Sequence, residues 1–393
     1  MNRNEKGRSR GAGTALVALA GALGISAVAA PLASASTHAK PASHKVKKQS
    51  ANGALVAAEK QLSALEAKAG SGVTLTETGS SLFYPLFSTW AQHYSSATVQ
   101  TASTGSGAGQ AGALKGTVDI GASDAYLPAS DPATLLNVPV VVSAQQINYN
   151  LPGIGRTTHL KLDGAVLNGM YTGKITRWND AAIQKLNKGV KLPNVKVVPL
   201  HRSDGSGDTF LFTSYLAAQD PSSFVNSVGG PNTQVSWPSV PGALAENGNT
   251  GMLKGCQTTP GCVAYIGVSY LRGAVASGLG YGYLLNGKGN YVGPTPVNVA
   301  NEIASYKRIP ANGTISLINS KTAKFGYPIV NFEYAVVQEH QPSTAKANAI
   351  KALLAWGMDP RHGATGSYLA PVNFKPLPAN ALAIAINLLK KIS

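Results

Sequence analysis

With 393 residues, 43 glycines and only 13% charged side chains, the chain has length for two domains that each bury a core. That composition excludes a disordered polymer and fits a compact, turn-rich α/β protein. The net charge of +16 raises nucleic acid as a partner, but no Arg/Lys stripe interleaved with aromatics and no nucleic-acid motif accompanies it. Two readings remain: contact with anionic wall polymers or lipid headgroups, and a basic soluble surface with no dedicated partner.

Residues 1–35 read as an export signal. Arg3, Lys6, Arg8 and Arg10 form a basic start, Gly13 to Leu32 is mostly apolar, and Ala33-Ser34-Ala35 is a small-residue cleavage site. A retained membrane anchor is the alternative, and with no cysteine near that site lipid attachment there is not available. Residues 36–70 follow as a basic linker and possible helix. Lys40, Lys45, Lys47 and Lys48 give the basic tail, and Leu55, Leu62 and Leu65 space one apolar face over Ala54–Lys68. The folded body is expected from Val73.

Beyond Val73 strand and helix patterns alternate, as in βαβ units with a largely parallel sheet. Val73–Thr76 and Ala97–Thr101 read as strands. The first leads through Thr78-Gly79-Ser80-Ser81-Leu82-Phe83-Tyr84-Pro85 into a helical Leu86–Tyr94. The second leads through Ser103-Thr104-Gly105-Ser106-Gly107-Ala108-Gly109 into a glycine-weakened helix, Gln110–Leu114. Thr117–Asp124 is a short strand ending in small residues and a carboxylate. Val138–Tyr149 and Pro328–Gln338 are long extended runs suited to crossing between two lobes. Thr344–Trp356 and Ala379–Ile392 read as helices that return to the first lobe. The expected division is 71–145 plus 330–393 for lobe I and 146–329 for lobe II, with a cleft between them.

The segment richest in chemistry is Leu200-His201-Arg202-Ser203-Asp204-Gly205-Ser206-Gly207-Asp208-Thr209-Phe210, which precedes a helical Thr209–Gln219. The first turn of a helix has unpaired N–H groups and a partial positive charge. Glycine lets that backbone approach a ligand, and Ser206 adds a hydroxyl donor. Arg202 supplies a planar fork of donors for an oxyanion. Asp-Gly-Ser-Gly is also an ordinary turn, so the repetition carries the weight: three strand–Gly/Ser–helix junctions and one acid at a strand end can converge on a small tetrahedral anion.

Other chemistry is less well supported. Gly107-Ala108-Gly109-Gln110-Ala111-Gly112 matches the dinucleotide fingerprint, but no acid follows at the required spacing. Ser81, Ser106 or Ser206 as a nucleophile would need a base, and only His201 lies near by sequence; a packing role at a strand end is the simpler reading of it. Asp119 and Asp204 can cap turns or orient Arg202. Cys256 and Cys262, around a Thr-Pro-Gly turn in an exported chain, read as a local disulfide.

From about Val73 to the C-terminus the chain resembles the substrate-binding proteins of phosphate-specific ABC transporters, particularly forms from high-GC Gram-positive bacteria. The resemblance rests on Gly121-Ala-Ser-Asp124, Tyr171-Thr-Gly-Lys-Ile-Thr-Arg-Trp178 and Arg202 to Phe210. It implies a two-lobed α/β fold of the type II periplasmic-binding-protein kind, closing on one dehydrated inorganic phosphate without metal or cofactor. It also implies an exported, extracellular or wall- or membrane-associated monomer that delivers phosphate to a membrane permease and catalyses nothing. The implied phosphate shell is Ser81, the backbone of Leu82, Ser106, Asp124, Arg202, Ser206, the backbone of Gly207, and Asp208. Many relatives carry threonine at the last position. There a second acid can accept another phosphate proton or pair with Arg202. Asp124 would accept the proton that phosphate keeps near neutral pH and sulfate lacks. The rival readings are an extracellular phosphatase-like enzyme and a wall-binding surface protein that uses the same anion cradle.

Overall fold

The structure, a computed structural model, describes residues 43–393, with side chains from Gly53 onward. The expected export signal and the first residues of the linker lie outside the described residues. A helix begins at Ser43 and runs to Glu66, so the stretch 36–70 expected as a basic linker and possible helix is helical over most of its length. Gly53 keeps a helical backbone in open space. Ala58, Leu62 and Leu65 are buried, while Leu55 of the expected apolar face is exposed. Arg361 ties this helix down through Ser63 Oγ at 2.7 Å and the Glu59 carbonyl at 3.1 Å.

Twelve strands follow. In the large sheet are β1 (Thr74–Gly79), β2 (Thr98–Ser103), β3 (Ile120–Ser123), β4 (Leu135–Tyr149), β6 (Val198–Arg202), β7 (Leu244–Glu246), β8 (Cys262–Gly267), β9 (Gly280–Tyr281) and β12 (Val330–Gln338). Their order is β2-β1-β3-β12-β4-β8-β6-β7, with β9 also on β4. β5 (Lys161–Leu162), β10 (Tyr283–Leu285) and β11 (Tyr291–Val292) make a small second sheet. β1, β2 and β3 are mutually parallel, and β12 runs antiparallel to both β3 and β4. β6 is parallel to β7 and β8, while β8 is antiparallel to β4. The architecture is therefore mixed α/β, more antiparallel at its centre than strict βαβ alternation predicts.

All fifteen residues of β4 are buried, the polar Asn137, Ser143, Gln145, Gln146 and Asn148 among them. Its partner changes midway. Leu135–Ala144 pair with β12, and Gln145–Tyr149 pair with β8. One strand thus belongs to two half-sheets. The first half buries Phe83, Phe87 and Trp90 from one helix, with ring centroids 5.4–5.9 Å apart; burying each such ring from water contributes about 2–3 kcal/mol. Trp90 also donates to the Gly363 carbonyl at 2.9 Å.

The Tyr171–Trp178 motif anchors the second half. Tyr171 donates to the Leu200 carbonyl at 2.8 Å, and Trp178 to the Gly261 carbonyl at 2.8 Å. Cys256 and Cys262 are bonded, joining the end of the helix Gly248–Thr258 to the start of β8 with Cα atoms 5.4 Å apart. The glycines of the dinucleotide-like run have a packing role. A Cβ on Gly109 would lie 2.7 Å from the carbonyl oxygens of Thr78 and Ala122, so the helix Ser106–Lys115 sits directly on β1 and β3. The glycines that weaken this helix in sequence let it pack, and it starts at Ser106 rather than Gln110. Among the described residues no helix is long and apolar enough to cross a membrane.

Candidate functional site

Five loops meet at the carboxyl ends of β1, β2, β3, β6 and β7, where parallel strands hand over to helices and unpaired helical N–H groups gather. Four were legible in the sequence. The fifth is Asn247-Gly248-Asn249 after β7, where Gly248 has a φ of 62° and opens the helix Gly248–Thr258. It repeats the strand–Gly–helix signal in a shorter form, with a three-residue strand too brief to stand out.

Every residue expected in the shell comes to this junction. Ser106 Oγ lies 3.3 Å from Asp124 Oδ2 and accepts the Asp124 N–H at 3.2 Å. Gly207 begins the helix Gly207–Gln219, capped by Ser206, whose Oγ accepts the Thr209 N–H at 3.3 Å. A Cβ on Gly207 would fall 2.5 Å from Asp124 Oδ2 and 2.6 Å from Ser106 Oγ. The helix start therefore stands directly against the acid and the serine. Only glycine fits there. The Gly107 N–H also donates to the Gly205 carbonyl at 2.9 Å, so the loops of the two half-sheets touch.

Arg202 is buried and held from two sides. Its Nε donates to Asp204 at 2.7 Å while Nη2 reaches the other Asp204 oxygen, a two-pronged pairing. Nη1 donates to Asp208 at 3.0 Å. These bonds occupy three of the five guanidinium hydrogens and leave two for another acceptor. Asp204 stays ionised: despite burial, Arg202 holds its carboxyl below the usual range. Asp208 meets Arg202, so of its two expected roles the structure shows the pairing. It also accepts from Asn249 Nδ2 at 2.6 Å and Gln145 Nε2 at 2.9 Å. Burial, with the Asp124 charge adding to it, pushes the Asp208 carboxyl up to about 7 against the pull of Arg202.

Asn249 sets the direction of a hydroxyl. Ser81 Oγ accepts from both the Asn249 N–H at 3.0 Å and Asn249 Nδ2 at 2.9 Å. A serine oxygen has two lone pairs and one hydrogen. With both lone pairs taken, Ser81 is left as a pure donor. Asn249 Oδ1 is itself fixed by the Gly267 N–H at 2.8 Å. Ser80 Oγ hydrogen-bonds Asp124 Oδ1 and accepts the Phe83 N–H at 2.9 Å. Leu82 contributes only backbone, since its side chain is fully buried and packs against Gly267.

Two residues weighed in the sequence lie elsewhere. Asp119 pairs with Lys346 at 2.9 Å and braces Thr76, not Arg202. His201 stacks on Trp237 with centroids 5.3 Å apart, as its packing reading holds. Sequence reasoning missed Ser80, Gln145, Asn249 and Glu333, all buried. Gln145 and Glu333 sit in strands that read as simply apolar.

A match to the PBP superfamily domain spans residues 34–361. The phosphate-binding protein PstS of Methanocaldococcus jannaschii is 33% identical over 314 residues, covering 73% of this chain and 78% of that protein. The chain belongs to the PstS family of phosphate-binding proteins. The PstS of Xylella fastidiosa is 31% identical, with coverage of 78% and 82%. Among solved structures, a phosphate-binding protein from Stenotrophomonas maltophilia superposes with a TM-score of 0.63 at 19% identity, covering 79% of this chain and 92% of that one. At that identity the likeness is one of fold, the type II periplasmic-binding-protein architecture.

Proposed function

We propose that this member of the PstS family is an extracytoplasmic receptor that captures inorganic phosphate and delivers it to the permease of an ABC transporter. The observation that carries the reading is the convergence of a buried cation, oriented hydroxyl donors, free helix-start amides and one strand-end acid at a single junction. The shell we assign is Ser81, the Leu82 N–H, Ser106, Asp124, Arg202, Ser206, the Gly207 N–H and Asp208. Gly207 and Asp208 hold the first two positions of their helix, whose N–H groups have no acceptor within it. Together with Ser81 and the two remaining Arg202 hydrogens they can meet the oxygens of a dehydrated tetrahedral anion.

Asp124 is the selective element. A carboxylate there accepts the hydrogen of HPO4²⁻ or H2PO4⁻ and faces sulfate as an unpaired like charge. Asp208 already accepts from Arg202, Asn249 and Gln145, so its carboxylate acts by orienting Arg202. Residues 71–145 with 330–393 and residues 146–329 are assigned as the two lobes, hinged where β4 changes partner and closing around the ion. The protein is assigned as a binding protein that works as a monomer. Among the described residues the serines are bonded to Asn249, Asp124 and a backbone amide rather than to a histidine or lysine, the opposite of an activated nucleophile.

Calorimetric titration with phosphate and sulfate, beside an assay for hydrolysis of a phosphate ester, tests this. Stoichiometric phosphate uptake with sulfate excluded and no turnover is expected. Ester turnover, or equal affinity for both anions, refutes it.

A further inference from the structure

Across the β3–β12 pairing from Asp124 lies a second buried carboxyl. Glu333 is fully buried in β12, at the point where the pairing of β12 with β4 slips between Glu333 and Tyr334, opposite Val141 and Pro139. The antiparallel register of β12 on β3 pairs Tyr334 with Ser123 and Ala335 with Ala122, so Glu333 comes opposite Asp124, and directly opposed residues share a face. That register sets the two buried carboxyls side by side, near enough for each to act on the other's titration. Two carboxylates cannot share a buried contact without a proton between them.

The surroundings decide which residue carries it. Glu333 Oε1 receives Ser143 Oγ, and Asn331 Nδ2 at 3.2 Å. Its Oε2 is buried with no donor among the described residues, so Oε2 is the oxygen free to hold a hydrogen toward Asp124. Burial pushes the Asp124 carboxyl above its ordinary range too, but Ser80 on Oδ1, Ser106 on Oδ2 and the charge of Arg202 nearby pull against that and support its anion. Among the described residues no salt bridge reaches Glu333. Asp208, tied to Arg202, also interacts with Asp124, and its negative charge disfavours two ionised carboxyls. Burial and the Asp124 charge push the Glu333 carboxyl well above the usual range.

We propose that Glu333 is a permanently protonated positioning residue whose Oε2–H donates to Asp124, keeping Asp124 an ionised acceptor for the hydrogen of the bound anion. The inference rests on the phosphate reading for its consequence but not for its chemistry. Both residues belong to the first half-sheet, Ser123 before Asp124 being paired with Tyr334 after Glu333, so the contact exists without closure or ligand. If Glu333 cannot donate, the buried Asp124 takes a proton of its own and turns from acceptor into donor. Sulfate then meets a hydrogen-bond donor where it met a charge.

The test has a spectroscopic and a binding arm. The infrared difference spectrum between ligand-free wild type and Glu333→Gln near neutral pH should contain the carbonyl stretch of one protonated carboxyl. Loss of carboxylate bands instead would overturn the proposal. In titrations, Glu333→Leu should narrow the preference for phosphate over sulfate about tenfold or more, while Glu333→Gln, which keeps an N–H donor, should hold it within about threefold. Undiminished preference in Glu333→Leu would also overturn it. Should Glu333→Leu fail to fold, the spectrum of Glu333→Gln still decides where the proton lies. Should wild type bind no phosphate, the functional reading falls while the spectral result still stands for or against the pair.

Discussion

Replacing Asn249 with alanine separates closure from folding in a way the hydrogen bonds make quantitative. The side chain makes three bonds: to Ser81 at 2.9 Å, to Asp208 at 2.6 Å and from the Gly267 N–H at 2.8 Å. Asp208 and Gly267 share its half of the molecule, so those two bonds exist whether the cleft is open or closed. Losing them strips a buried carboxylate of one donor and lowers stability by about 2–4 kcal/mol. Ser81 lies on the other half-sheet, so under the proposed closure that bond forms only when the cleft shuts. Its loss, with Ser81 no longer held as a pure donor, costs closure about 1–2 kcal/mol, or roughly 5- to 30-fold in phosphate Kd. Calorimetry for Kd, stopped-flow release and thermal unfolding measure the parts. The weakening should appear mainly as faster release, because the bond forms after encounter. A variant that is destabilised yet binds phosphate within twofold of wild type would refute the claim that Asn249 latches the two halves.

Asp124→Asn should weaken phosphate and admit sulfate, narrowing their ratio by about tenfold or more; an unchanged ratio in competitive titration would remove Asp124 as the selective group. Gly207→Ala places a methyl 2.5 Å from Asp124 Oδ2. Overpacking of that size costs about 1–3 kcal/mol, and here it falls on closure, so phosphate affinity should drop roughly 5- to 150-fold with little change in Tm. Glu77, buried in β1 and pushed up to about 8 by burial against an ordinary 4.5, folds neutral. Stability from that proton is full below about pH 4.5 and is lost as pH rises through 8, because the unfolded chain releases it first. Glu77→Gln should therefore overtake wild type by on the order of 3 kcal/mol between pH 5 and pH 8, and parallel pH profiles in denaturant unfolding would contradict this. Replacing Cys256 and Cys262 together by alanine reopens a loop of sequence separation 6 and should cost about 2 kcal/mol of stability while phosphate affinity holds.

What the sequence determined by itself was whatever depends on neighbours along the chain. The junctions at Ser80–Leu82, Gly105–Gly107 and Asp204–Gly207 were legible because a strand, a glycine and a helix start are local chemistry, and an unpaired helix end means the same thing in any fold. The long extended run over Val138–Tyr149 likewise announced a strand.

Tertiary structure alone decided how those pieces are polarised. Nothing near Ser81 in sequence says that Asn249 will fill both its lone pairs, and nothing near Asp124 says that pairing with β12 will set Glu333 beside it. Polar residues inside apolar strands look like interruptions until the partner strand is known. The reason is physical. A hydroxyl becomes a donor, and a carboxyl keeps or gives up its proton, according to the groups packed around it in a medium that screens little, and those groups are assembled only when distant strands pair.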